Sequence, residues 1–517
     1  MLDANWIILS HGFGASNRCQ DITLGQLSCD RGGGAVHQVS LSINIAGLFI
    51  FLLTNFTEIC DGVVADGKTV KSLSENRKIT SSLRLSRDNP RYFTDDSGKA
   101  IYLTGSHTWS NLIDIDKTDS PNPFDFEGYL DFLGQHNHNF IRLWTWELAK
   151  YQYQGDEIKY AEPFPWRRTG PGNALDGKPK FDLTKFNKEY FNRLRKRVID
   201  AGERGIYTSI MLFEGHGLRN SLPPWCWDGH PFNINNNIND INGDPNSDGK
   251  GIEVHTLQIP AVLAIQKEYV KKVIDTVNDL DNVLYEIANE SHEGSGRWQE
   301  ELIQYIHTYE SLKPKQHPVV YSAPDSSRYA RRTINALLNT RAEAVSPGWE
   351  DAPADNSIVP YRDDPPANDG KKVIINDTDH LWGVGGDRSW VWKSFVRGLN
   401  PIYMDDLTAG VTHDEVRKAL GQTLSYARKM NLKDMRPSND LSSTKYCLAN
   451  PGKEYFIYKP YSFASFKVNL KAGNHSFEWF NPGKSINESS GSFTAIGGYR
   501  SFIPPFAGDA VLYIVRS

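Results

Sequence analysis

The chain has 517 residues, of which 23% are charged and 12% aromatic, with a formal net charge of −5. The length exceeds one ordinary core and favours a large domain joined to a smaller one. Without a basic excess or a Lys/Arg block, nucleic acid and anionic membrane surfaces are excluded as expected partners.

In chain order, residues 1–88 form an N-terminal extension. Its apolar run Ser40–Leu53, "SLSINIAGLFIFLL", is short for a bilayer span but suits the apolar centre of a signal peptide (about residues 40–56), with a polar linker after it. The expectation is a secreted, periplasmic or cell-surface protein. Five cysteines (Cys19, Cys29, Cys60, Cys226 and Cys447) make neither a disulfide framework nor a zinc motif. No metal and no cofactor are expected.

From Asn89 short β-rich runs alternate with amphipathic stretches. Eight strands are expected: Ala100–Ser106, Phe140–Trp146, Ile206–Phe213, Val283–Glu290, Pro318–Ala323, Ala342–Gly348, Lys372–Thr378 and Asn400–Asp406. Helical patterns fall between them, as in Phe186–Gly205, Ile259–Leu280 and His413–Asn431. Apolar strands alternating with helices predict an α/β fold, a (β/α)8 TIM barrel over residues 89–440. After strand three comes a long Asn/Asp/Gly-rich loop, Asp228–Gly251. Its "DPNSDG" places oxygen ligands at alternate positions, which suits a hard cation. The full twelve-residue calcium-loop pattern is absent, and the stretch is read as a polar turn. Residues 441–517 read as strands separated by Pro-Gly and Gly-Asn turns, a small C-terminal antiparallel β-sandwich expected to serve as a packed structural module.

Barrel enzymes draw their chemistry from the C-terminal strand ends. Here those ends carry Ser106, His107 and Trp109; Arg142, Trp144, Trp146 and Glu147; Glu214 and His216; Asn289, Glu290 and His292; Trp349 and Glu350; Asp377, Asp379, His380 and Trp382; and Asp405 and Asp406. There is no P-loop, dinucleotide fingerprint or G-x-S-x-G elbow. Paired carboxylates among aromatic residues suit cleavage of a glycosidic bond, where one acid protonates the leaving oxygen and the other attacks or activates water. Strands four and seven end on opposite sides of the mouth, so Glu290 is expected to face an acid of strand seven.

Asn289-Glu290 closing strand four, with an acid closing strand seven, resembles clan A of the glycoside hydrolases. The stretches "NPRYFTDDSGKAIYLTGSHTW" and "VIINDTDHLWGVGGDRSWVWKSFVRGLNPIYMD", with the tail from "NPGKEYFIYKP", look like bacterial proteins related to apiosidases. Those carry a C-terminal module named for collagen binding. The resemblance spans Asn89–Ser517 and implies a retaining enzyme with Glu290 as acid/base and a strand-seven nucleophile. Many clan members have Glu at that place, whereas "IINDTDH" offers only Asp377 and Asp379; Asp377, directly after the apolar run, matches it best. Arg142 would hold the nucleophile ionised and Asn289 would bond a sugar 2-hydroxyl. His107, His216, His292 and His380 would bind hydroxyls, and Trp109, Trp144, Trp349 and Trp382 would offer stacking faces. The expected partner is a carbohydrate substrate, a polysaccharide or oligosaccharide. The alternative is a non-catalytic carbohydrate-binding or adhesion protein on a degenerate barrel. A metal-dependent hydrolase would use Asp377, Asp379 and His380 but lacks the usual His spacings.

Overall fold

A computed structural model describes residues 79–152, 157–219, 227–324, 332–461 and 464–517. The Ser40–Leu53 run, Cys19, Cys29, Cys60 and Cys226 lie outside the described residues; Cys447 is a buried free thiol. Among the described residues no helix is long and apolar enough to cross a membrane.

Eight parallel strands make one sheet: β1 (Gly105–His107), β2 (Phe140–Leu143), β3 (Tyr207–Glu214), β4 (Val283–Asn289), β5 (Val319–Ser322), β6 (Ala344–Ser346), β7 (Val373–Asp377) and β8 (Asn400–Met404). Their order is sequential, with β8 pairing β1, so β1 and β2 are the two edges. The edges nearly close the barrel. Asn139 N–H donates to the Thr104 carbonyl (3.0 Å), and Thr104 N–H donates to Asn139 Oδ1 (2.9 Å). Gly105 permits this approach, because a Cβ there would lie 2.3 Å from the Phe140 carbonyl oxygen. The eight strands fall where their apolar, β-branched runs predict, as expected for strands buried on both faces. The first is shorter than expected: Ala100–Ile101 pairs instead with Phe93–Thr94 in a small antiparallel sheet.

Among the described residues a helix follows each strand: α1 (Phe126–Gln135), α2 (Lys188–Glu203), α3 (Pro260–Val277), α4 (Gly296–Glu310), α5 (Ile334–Leu338), α6 (Pro360–Asp363), α7 (Arg388–Val396) and α8 (Val411–Lys429), with a further short helical turn, His216–Arg219, directly after β3. Local signals set their ends. The Asn187 side chain accepts from Glu189 N–H at the start of α2, and Pro260 opens α3. The α2 stripe of Tyr190, Phe191, Leu194 and Val198 is buried as its 3.6-residue spacing requires.

Two long insertions sit at the C-terminal ends of β2 and β3. The first contains an antiparallel pair, Trp166–Asn173 with Pro179–Phe186, that the sequence reading missed. It docks on the asparagine-rich loop after β3 through Phe181 N–H to the Asn236 carbonyl (2.8 Å) and Ile238 N–H to the Phe181 carbonyl (2.9 Å). Within that loop Asn237 Nδ2 donates to the carbonyls of Pro231, Asn233 and Ile241. The asparagines thus satisfy backbone groups that no sheet supplies.

From Arg436 the chain becomes antiparallel β. Six strands form one sheet and two more, Phe466–Leu470 and Gly498–Phe502, form another. Strand alternation gives the larger sheet two apolar faces. Tyr455, Ile457, Leu512 and Ile514 pack with Val468 and Phe466. Phe456 and Tyr458 turn the other way and stack on Trp392 of α7 at 6.0 and 6.1 Å. Arg388 of α7 adds a two-pronged ion pair to Asp509 (3.1 Å each).

Candidate active site

Arg142, the third residue of β2, is buried at the centre of the mouth. All five of its N–H donors are used. Nε and Nη2 donate to the two oxygens of Glu286 (2.9 and 2.5 Å), and Nη2 also donates to Asn289 Oδ1 (2.7 Å). Nη1 donates to Asp377 Oδ2 (2.8 Å) and Asp379 Oδ2 (3.2 Å). One guanidinium therefore ties the ends of β2, β4 and β7 together, in the bidentate geometry only arginine offers. With no donor left for a sugar, Arg142 is a positioning residue and the expected substrate contact is corrected.

Asp377 is fully buried. His107 Nε2 lies 2.9 Å from its Oδ1, which also accepts the Asp379 N–H (2.9 Å). Trp144 Nε1 can only donate, and it lies 2.9 Å from His107 Nδ1. That contact puts the His107 proton on Nε2, facing Asp377. Burial alone would raise the Asp377 pKa, but His107 and Arg142 outweigh it and hold the group well below the ordinary carboxylate range.

Asp379 differs in each respect. It lies beyond the end of β7, and its side chain is 10% exposed. Burial, and next the negative charge of Glu290, raise its pKa well above the ordinary value; Arg142 opposes this and Asp377 adds to it. Asp379 thus stands apart from Asp377, the residue the sequence favours, and its charge interacts with that of Glu290. The reason is local: the strand stops at Asp377, and a turn redirects the next residues.

Glu290 follows β4 with a left-handed φ of +42°, a strained conformation for a residue with a Cβ. Arg219, in the short helical turn after β3, donates Nη2 to Glu290 Oε2 (2.6 Å) and Nε to its carbonyl (3.0 Å). His216 Nε2 lies 4.0 Å from the same carboxylate. Gly215 lets this turn pass, since a Cβ there would meet Ser291 Cα at 2.4 Å.

Several further expectations change. His107 and Trp144 are buried and spent on each other and on Asp377, so neither contacts a sugar. His380 is also buried: Nε2 lies 3.1 Å from Asn289 Oδ1 and Nδ1 bonds Ser346 Oγ (2.9 Å). Both Arg142 and His380 address Asn289 Oδ1, which turns the Asn289 amide NH2 to the other side. His292 Nδ1 accepts Gly294 N–H and caps a turn. Trp382 is 41% exposed and offers a face at the rim. Trp109 and Trp349 are partly buried against the core, and Arg362 lies over the Trp349 ring at 5.5 Å. Sequence reading missed Glu286 and Arg219. A lone carboxylate inside the apolar run "VLYEIAN" was a usable signal for the first; nothing local distinguishes the second.

A second acidic cluster lies beside this one. Glu147 is bonded by His255 Nε2 (2.8 Å) and accepts Glu214 N–H (2.9 Å). Burial pushes Glu147 up, but His255 and His230 outweigh it and hold it at about 2. Burial, with Glu147 and Glu290 adding to it, pushes Glu214 up to about 8 against the His216 and Gly217 N–H donors. A carboxyl raised from 4.5 to about 8 on folding stabilises the fold fully below pH 4.5 and loses that contribution as pH rises through 8. The limiting slope is about 1.4 kcal/mol per pH unit. Glu214→Gln keeps one of the two acceptor oxygens, which take the His216 and Gly217 N–H groups, and its stability relative to wild type is expected to rise between pH 4.5 and 8. Thermal unfolding of both across that range, with parallel curves, would refute the assignment.

Fold and site together define a (β/α)8 barrel with one carboxylate beyond β4 and another beyond β7 whose charges interact. Among solved structures, one described as a glycoside hydrolase matches with 12% identity and a TM-score of 0.53, covering 84% of this chain and 97% of that one. A glycoside hydrolase family 5 protein from Bacteroides vulgatus matches with 12% identity and a TM-score of 0.54, covering 84% and 93%. At this identity the likeness is one of fold. A family model described as a domain of unknown function, DUF6298, matches residues 159–328, from the first insertion through β5. A search of curated proteins finds no match to the sequence.

Proposed function

We propose that this protein is a glycoside hydrolase acting on a polysaccharide or oligosaccharide by a retaining double displacement. The observation that carries the reading is the Glu290–Asp379 pair: two carboxylates on separate strand ends, each 10% exposed and each held by its own arginine. Their mutual repulsion means that the pair holds one proton over a band of pH. In that state one member is the acid and the other the nucleophile, as retaining chemistry requires.

Following the clan A resemblance, Glu290 protonates the leaving oxygen while Asp379 attacks the anomeric carbon. Glu290 then removes a proton from water, which displaces Asp379 from the glycosyl-enzyme. Arg142 favours the departing carboxylate form of Asp379. The free Asn289 NH2 donates to a sugar hydroxyl, and Trp382 stacks on a ring. One observation favours an exchange of the two roles: Arg219 supplies a cation to Glu290, whereas Asp379 is the carboxyl with the raised proton affinity. The likeness to apiosidase-related proteins supports a bacterial polysaccharide degrader, exported through the Ser40–Leu53 segment.

The test is a hydrolysis screen on plant and algal polysaccharides, with product stereochemistry read by NMR. The expected results are retention at the anomeric carbon and a bell-shaped pH–rate profile whose limbs belong to the pair. Inversion, a profile flat from mildly acidic to mildly alkaline pH, or binding without turnover on every glycan would overturn the reading; the last would favour the carbohydrate-binding alternative.

A further inference from the structure

The loop after β3 carries a feature that the catalytic reading does not use. Asp244, Asp248 and Glu253 bring carboxylate oxygens within 4.8 Å of one another. Asp244 and Glu253 are buried, at 7% and 6% exposure. One Glu253 oxygen accepts from Asn246 Nδ2, while its other oxygen, Oε2, is buried with no hydrogen-bond partner. Three carboxylates this close repel one another, and Lys250 Nζ lies 3.8 Å from Asp248. A buried, unpartnered carboxylate oxygen on a member of such a cluster is costly unless a cation completes it.

The backbone is shaped accordingly. Asp244 Oδ2 accepts Gly249 N–H (2.9 Å), and Asn246 Oδ1 accepts Asp248 N–H (2.8 Å), winding the loop around the side-chain oxygens. Asp244, Asn246 and Asp248 occupy alternate positions, as do the first ligands of a helix–loop–helix calcium loop, and Gly249 takes the sixth position with φ +76°. The loop then departs from that pattern. Gly251, at φ +63°, caps the 3-10 turn Ile252–His255, which returns Glu253 to the cluster two residues earlier than the usual closing glutamate. Only glycine serves at 251, because a Cβ would lie 2.1 Å from Trp227.

We propose that Asp244, Asn246, Asp248 and Glu253 bind a calcium ion. The donor set is all oxygen, which suits a hard cation and not zinc. Ligands on a bent loop suit calcium's irregular coordination better than the strict octahedron of magnesium. The ion has a structural task. Glu253 shares its turn with His255, which bonds Glu147 (2.8 Å) and stacks on Trp298 of α4 (4.5 Å). Calcium would fasten the insertion to the barrel rim beside the active site.

The test uses the full chain stripped with a chelator, titrated calorimetrically with calcium chloride and separately with magnesium chloride. Thermal unfolding is followed with calcium and with chelator. The expected result is calcium binding at this loop, weaker magnesium binding, and a Tm rise of roughly 3–5 °C at calcium 100-fold above Kd. Asp248→Asn, at an exposed position, is expected to weaken calcium binding at least about tenfold and to leave Tm in chelator no lower than wild type, since it removes one of the repelling charges. Glu253→Gln is expected to weaken it further. Absence of calcium heat and of any Tm shift at millimolar calcium would overturn the proposal. So would wild-type affinity in Asp248→Asn, which would place the ion at another acidic group such as Asp405, Asp406 and His413.

Discussion

Asp379→Gly is expected to lose at least about 100-fold in hydrolysis and to regain turnover when azide is supplied. The side chain removed is the strand-seven carboxylate that feels Glu290 and reaches the rim, so its loss leaves a space beside the anomeric carbon. Azide entering that space attacks from the nucleophile's side and yields a glycosyl azide of inverted configuration. Glu290→Gly should lose turnover by a similar factor, above all on substrates with poor leaving groups. Its azide product should retain configuration, because azide then displaces the sugar from the nucleophile. If the roles are exchanged, the two product configurations exchange with them, so one NMR measurement decides between the assignments. Asp377→Gly should not be rescued, since that carboxylate is sealed between His107, Arg142 and the Asp379 N–H. Rescue of Asp377→Gly alone would return the nucleophile to Asp377. Near wild-type turnover in both Asp379→Gly and Glu290→Gly would end the glycosidase reading.

The largest effect on stability is expected from Arg142→Met. The substitution roughly preserves volume but leaves Glu286 and Asp377 buried without their shared cation. Breaking a buried ion pair from one side typically costs about 3–5 kcal/mol. Here one arginine serves several acceptors, so the upper part of that range is expected, read as a lowered denaturant midpoint. Adding Glu286→Gln should recover part of the loss, because Ser322 Oγ, which now donates to Glu286 Oε1 (2.8 Å), can still donate to the new amide oxygen. The shared environment makes the two changes non-additive. An Arg142→Met midpoint equal to wild type would show that Arg142 is not the mainstay of the mouth.

Period and punctuation by themselves determined the barrel. Each of the eight strands is an apolar run such as "IYTSIMLF" or "VLYEIAN", and helices such as α2 carry their own stripe and cap. These signals are local, so they survive in one dimension. The strand-end position of Glu290 was legible for the same reason. What the tertiary structure decided are relations between distant residues. Strand alternation put Asp377 and Asp379 on one face, yet β7 ends at Asp377, where a turn redirects the chain and gives Asp379 the exposed place. Arg142 contacts the strand-seven acids as expected, but its five donors are all engaged on the ends of β4 and β7, which leaves none for a sugar. Arg219 carries no local mark; only the packing of the turn after β3 against Glu290 reveals it. "DPNSDG" reads as a polar turn because the third carboxylate of its cluster, Glu253, arrives through a fold of the loop that spacing alone does not encode. A carboxylate's chemistry is set by the charges and donors within a few ångströms of it, and those come from other strands.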